Sequence, residues 1–151
     1  MKLTILKTIP FLAICLCSLN NYAQTKEETI SWLQEKLTKY IVSDLNFKNL
    51  DLLITVSSCD ITIDYTYYDQ YIHKNQTCKV KIPTDGVTIE NGTIFVNGER
   101  IIDQDITRGT SKFINKFEYF NLKEGETDLR GRVKKALDHL SNFCPKKKET
   151  F

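Results

Sequence analysis

The chain has 151 residues, with 21 Lys+Arg against 19 Asp+Glu and a formal charge of +2, which excludes a strongly basic nucleic-acid binder and an acidic solvating tail. The length implies one ordinary domain with its own hydrophobic core and too little chain for two.

Lys2 and Lys7 precede an apolar run from Ile9 to Leu19, followed by Asn20, Asn21 and the small residue Ala23. This is the order of a secretory signal peptide. The run reaches only about half of the roughly 20 apolar residues a membrane span needs, with Pro10 inside it. Cleavage after Ala23 is therefore expected, leaving no integral span and a periplasmic or secreted product. Cys15 follows Ile14 and Cys17 follows Leu16, which disfavours a lipidated cysteine. Losing Lys2 and Lys7 brings the remaining chain close to zero net charge.

After the signal, residues 24–145 read as one α+β domain. From Thr25 to Ile41, Thr25 and Glu28 form a capping box, and Ile30, Leu33, Leu37, Tyr40 and Ile41 recur at helical spacing. Trp32 lies off the centre of that stripe, at the edge of the core. Period-two segments follow at 52–56, 60–67 and 78–82, rich in β-branched and aromatic residues. The segments 87–90 and 93–96 flank Asn91-Gly92, the strongest short hairpin signal, and Asn97-Gly98 predicts a further tight turn into a strand at 99–102. A last strand is predicted over 112–120. A second helix, 128–143, has Leu129, Val133, Ala136, Leu137, Leu140 and Phe143 on one face, Thr127 as N-cap and Pro145 as stop. Two helices bracketing about six antiparallel strands give a sheet with its apolar face covered by the helices. The run Lys146-Lys147-Lys148 opens a basic tail over 146–151.

Candidate chemistry is sparse. Three cysteines, Cys59, Cys78 and Cys144, follow the signal in a compartment where disulfides persist. Cys59 and Cys78 sit at the edges of neighbouring predicted strands and form the candidate bridge, worth about 3 kcal/mol on the chain-entropy model. Cys144 reads as a helix-end core thiol, and spacing alone leaves the pairing of the three open. His73 lies in a Tyr-rich polar loop and His139 beside the apolar face of the last helix, neither with a partner that would complete a catalytic set. No C-x-x-C, H-E-x-x-H, G-x-S-x-G or Gly-rich phosphate loop occurs, so no metal, cofactor or catalytic residue is assigned. Asp60, Thr62 and Asp64 share one strand face and read as a solvated outer surface. Among the aromatics of Tyr65–His73, Tyr65 and Tyr67 read as strand residues. Tyr68, Tyr71 and His73 are the candidate binding contacts, able to stack on a sugar or anchor a partner. The sequons at Asn75 and Asn91 are assigned no modification.

The opening Thr25-Lys26-Glu27-Glu28-Thr29-Ile30-Ser31-Trp32-Leu33 and the closing Arg132-Val133-Lys134-Lys135-Ala136-Leu137-Asp138-His139-Leu140, followed by a cysteine and a final Phe151, resemble a group of small exported, uncharacterised proteins of Bacteroidetes, particularly flavobacteria. The resemblance implies an exported α+β domain and supplies no activity. Strands followed by a terminal helix also look like the pleckstrin-homology-like superfold. The expected function is a noncatalytic interaction or binding domain for an unknown protein or small ligand of the envelope. A carrier of a small apolar ligand and an envelope enzyme are the alternatives, told apart by an empty apolar cavity or by a pocket holding a perturbed acid or histidine.

Overall fold

A computed structural model describes residues 25–43 and 47–145; the segment 1–23 expected as a signal peptide and the basic tail 146–151 lie outside the described residues. Helix α1 spans Lys26–Tyr40 and α2 spans Leu129–Ser141. Between them lie β1 (Ile41–Ser43), β2 (Lys48–Val56), β3 (Asp60–Asp69), β4 (Lys74–Pro83), β5 (Val87–Glu90), β6 (Thr93–Val96), β7 (Ile101–Asp105), β8 (Thr110–Ile114), β9 (Lys116–Phe117) and β10 (Phe120–Leu122). The fold is α+β with antiparallel pairing throughout. The described strands form three sheets, in the orders β2-β3-β4-β7-β8, β5-β6-β9 and β1-β10, rather than one.

The capping box at the start of α1 is formed: Thr25 N–H donates to Glu28 Oε2 at 2.8 Å, and Glu28 N–H donates to Thr25 Oγ1 at 3.2 Å. Helix α2 begins differently. Asp128, not Thr127, occupies the cap position, with φ 52° and no side-chain cap hydrogen bond. Chain direction there is fixed instead by burial of Leu129, at the head of a face that continues through Val133, Leu137 and Leu140.

At Asn91-Gly92 both residues have positive φ, 52° and 90°, as the tight hairpin between β5 and β6 demands. Gly92 is also forced sterically, because a Cβ there would lie 2.6 Å from the Leu122 carbonyl oxygen. At Asn97-Gly98 the expected meander does not form. Arg100 donates to the Asn97 carbonyl at 2.8 Å, to Asp85 Oδ2 at 2.6 Å and to the Asp85 carbonyl at 2.8 Å. The chain then leaves the small sheet, and β7 pairs with β4. The expected long last strand is likewise divided into β8, β9 and β10, each in a different sheet.

One continuous core joins the inner face of the five-stranded sheet (Ile54, Val56, Ile61, Ile63, Val80, Ile82, Ile101) to the small sheets (Val87, Ile94, Phe117, Phe120) and to both helices. The outer face carries cross-strand pairs Asp64–Lys79 at 3.1 Å and Asp60–Lys81 at 3.0 Å. The free edge of β2 is covered by one side chain: Gln34 of α1 donates to the Ile54 carbonyl and accepts from Val56 N–H at 2.8 Å, taking the place of a neighbouring strand. No described helix is long and apolar enough to cross a membrane.

The disulfide joins Cys59 to Cys144, with Cα atoms 5.0 Å apart, which corrects the expected Cys59–Cys78 pair. Strand β4 starts at Lys74 rather than at Cys78, so Cys78 lies within the strand, opposite Tyr65, while Cys59 is level with Thr84. Six residues of strand put the two thiols about 20 Å apart, far beyond the reach of a disulfide. Cys144, expected as a core thiol, is the partner instead, and Cys78 is buried and free.

Candidate functional site

The inner face of the five-stranded sheet changes character along its strands. Its first cross-strand row is Val56, Ile61 and Ile82; the next is Ile54, Ile63, Val80, Asp103 and Lys112; the third is Leu52, Tyr65, Cys78, Asp105 and Thr110. The apolar face thus becomes aromatic and charged towards the β7–β8 corner, beyond the cover of the helices. A concavity of about 410 Å³ opens there, lined by Phe47, Tyr65, Tyr67, Cys78, Asp103, Asp105, Arg108, Thr110, Ser111, Lys112 and Tyr119. This volume falls in the range of small-ligand pockets.

One wall is aromatic. Phe47 lies 4.3 Å from Tyr67 and 6.1 Å from Tyr65 between ring centroids. The other wall is charged and internally paired. Lys112 Nζ reaches Asp103 Oδ2 at 3.2 Å, stands 3.4 Å from the Tyr119 hydroxyl and lies 5.8 Å from the centre of the Tyr119 ring. Arg108 approaches Asp105 at 3.5 Å and Asp69 at 3.7 Å, and its backbone N–H donates to Asp105 Oδ1 at 2.9 Å. Asp103 is only 7 % exposed, so its ion pair with Lys112 keeps a buried carboxylate from standing alone.

Burial sets the protonation states. It pushes the Tyr65 hydroxyl far above the ordinary phenol range, with Cys78 and Asp103 adding to the effect. Tyr67 is raised chiefly by burial and then by Cys78 and Asp69. The Cys78 thiol is raised by burial; a hydrogen bond with the Tyr65 hydroxyl opposes that, and the charges of Asp105 and Asp103 add to it. A thiol held neutral is a poor nucleophile. Partial burial works against the charge of Lys112, but hydrogen bonds to Asp103 and Tyr119 outweigh it and raise its pKa. Gln76, one step beyond Cys78 on the same strand face, is buried with its Oε1 unpartnered among the described residues.

The sequence-predicted contacts lie elsewhere. Tyr68, on the opposite face of β3 from Tyr67, and His73, at the β3–β4 turn, come within 3.5 Å of each other. Tyr71 is 96 % exposed at the same turn. None of the three lines the concavity. His139 is half-buried with its ring 5.1 Å from that of Phe143. It borders a smaller groove with Trp32, Arg132, Lys135 and Ala136, where the Arg132 guanidinium lies 5.1 Å from the Trp32 ring centre.

Asp103, Asp105, Arg108, Lys112, Phe47 and Tyr119 are absent from the sequence-based candidates. The available signal was Ile101-x-Asp103-x-Asp105: carboxylates following a core isoleucine at period two mark an inward face turning polar. It was hidden because the predicted strand stopped at Ile102. No protein-family model, curated protein or solved structure matches the chain.

Proposed function

We propose that the protein is an exported, noncatalytic binding domain that holds a small ligand in the concavity at the β7–β8 corner. The observation that carries this reading is the concavity itself, where buried and half-buried aromatic rings and paired charges line one opening on the inner sheet face, an arrangement suited to orienting a bound molecule. The charged groups are paired with one another and neither His73 nor His139 lies in the lining, which supports binding rather than turnover. The buried Asp103 and the partly buried Asp105 disfavour an apolar cargo, for which each charge would have to be desolvated against hydrocarbon. The Cys59–Cys144 bridge supports export, since such bonds persist in oxidising compartments.

The test is a two-dimensional NMR titration of the chain starting at Gln24 with a panel of saccharides, amino acids, polyamines and fatty acids. Saturable shifts at Tyr67, Asp105, Lys112 and Tyr119 with at least one class are expected. Shifts confined to the outer sheet face or to the Tyr71 turn would overturn the assignment of the site.

A further inference from the structure

Resting on that reading, we infer that the ligand of the concavity is a neutral saccharide, bound with its ring against Tyr67 and Phe47 and its hydroxyls on the Asp103–Lys112 and Asp105–Arg108 pairs. The argument begins with charge. The lining carries two carboxylates and two cations, each within 3.5 Å of its opposite, and Asp69 outside the lining also pairs with Arg108 at 3.7 Å, so no cation is left over to hold an anion. A ligand ammonium would enter a position already filled, because the Lys112 ammonium sits between the Asp103 carboxylate and the Tyr119 ring. A ligand carboxylate or phosphate would lie beside Asp103 and Asp105 and would gain Arg108 or Lys112 only by separating them from their partners.

A polyol avoids both conflicts. Adjacent hydroxyls on a sugar ring present a donor and an acceptor side by side, which matches a carboxylate and an ammonium 3.2 Å apart. Each hydroxyl can donate to Asp103 or Asp105 while its neighbour accepts from Lys112 or Arg108, leaving both ion pairs intact. The apolar C–H face of the same ring covers an aromatic side chain, so the two walls of the concavity correspond to the two faces of one molecule. Thr110 and Ser111 add hydroxyls at the open rim of β8, and the volume of about 410 Å³ leaves space for a short oligosaccharide end.

The experiment is protein-observed two-dimensional NMR titration and calorimetry on the disulfide-bonded chain starting at Gln24. The probes are methyl glucoside, N-acetylglucosamine, maltose and cellobiose, with spermidine and octanoate as controls. At least one saccharide should bind in the millimolar range or tighter, with the shifted amide resonances centred on Tyr67, Asp105 and Lys112. Tyr67→Ala should weaken it about tenfold, the loss expected of one aromatic contact. Because Tyr67 also contributes to folding, Asp105→Asn serves as a second variant: it keeps an acceptor for Arg108 N–H, should remain folded by thermal melt, and should weaken the saccharide by a similar factor. Saccharide binding unchanged in both variants would overturn the inference. So would spermidine or octanoate shifting the concavity while every sugar fails, and in that case the binding reading survives. If no probe shifts these residues, both readings fall.

Discussion

Removal of the Cys59–Cys144 bridge is the most direct perturbation of the fold. The bond ties the turn between β2 and β3 to the chain just beyond α2, across a sequence separation of 85. On the chain-entropy model a loop of that length raises stability by about 4.5 kcal/mol, against about 3 for the shorter Cys59–Cys78 loop. Since a domain of this size has only about 5–15 kcal/mol in total, the double variant Cys59→Ser, Cys144→Ser should lose a large share of its stability and melt roughly 15 °C lower. Urea denaturation of the oxidised protein, the reduced protein and the double variant measures the effect. The latter two should coincide, and both should show a steeper slope than the oxidised form, because the unbridged unfolded chain exposes more surface. The three cysteines fall on separate tryptic peptides, so non-reducing digestion reports the pairing independently. A linked pair containing Cys78, or equal midpoints for oxidised and reduced protein, would refute the reasoning. The buried Cys78 thiol should react with an alkylating agent only on unfolding.

Gln34→Ala should remove both contacts to the β2 edge, cost about 1 kcal/mol in urea denaturation and speed amide exchange at Val56 about fivefold, since that N–H loses its acceptor; unchanged exchange there would show that the edge is not protected by Gln34. Leu137→Ala, a truncation of a fully buried side chain of α2, should cost about 2–5 kcal/mol, and an unchanged midpoint would displace that helix face from the core. Glu126 accepts from Lys36 at 2.7 Å, from Tyr40 at 3.1 Å and from Arg132 at 3.2 Å, and the Lys36 contact is the main reason its pKa is lowered. A depressed carboxylate stabilises the fold above its unfolded pKa and loses that contribution as pH falls through its folded value. Melting temperature should therefore drop on acidification below about pH 4.5, and Glu126→Gln should lower it at neutral pH while flattening that acid slope.

Much of the fold was legible because its signals are local. The Thr25–Glu28 box, the stripe through Leu33 and Leu37 and the Asn91-Gly92 turn each involve residues within a few positions of one another, and the structure holds all three. The errors arose where a distant contact decides. Nothing near Asn97-Gly98 reveals that Arg100 is held by Asp85 and that β7 departs for β4. Nothing near Asp128 announces a left-handed residue at the start of α2. For Cys59, pairing depended on the true start of β4 at Lys74, and the polar segment Lys74-Asn75-Gln76-Thr77 carries no apolar alternation to show it.

The site was illegible for a deeper reason of the same kind. Tyr65 and Tyr67, Cys78, Asp103 and Asp105, and Lys112 come from β3, β4, β7 and β8, and they meet only because β5 and β6 leave the sequence of pairings and let β7 lie beside β4. Had the chain formed the consecutive meander that its turns suggest, β7 would adjoin β6 and no row could join Val80 to Asp103 and Lys112. The same crossover that brings Asp103 to an inward position also supplies its neutralising cation, because β8 follows in register and sets Lys112 directly opposite. A carboxylate buried on an inner face is costly unless its partner arrives with it. The β7–β8 hairpin supplies both as one unit, while Tyr119, just before β10, closes the ammonium from the side. The pocket's polarity is therefore a consequence of strand order, and substitutions that weaken the β4–β7 pairing should disturb the proposed ligand binding before they disturb the apolar half of the sheet.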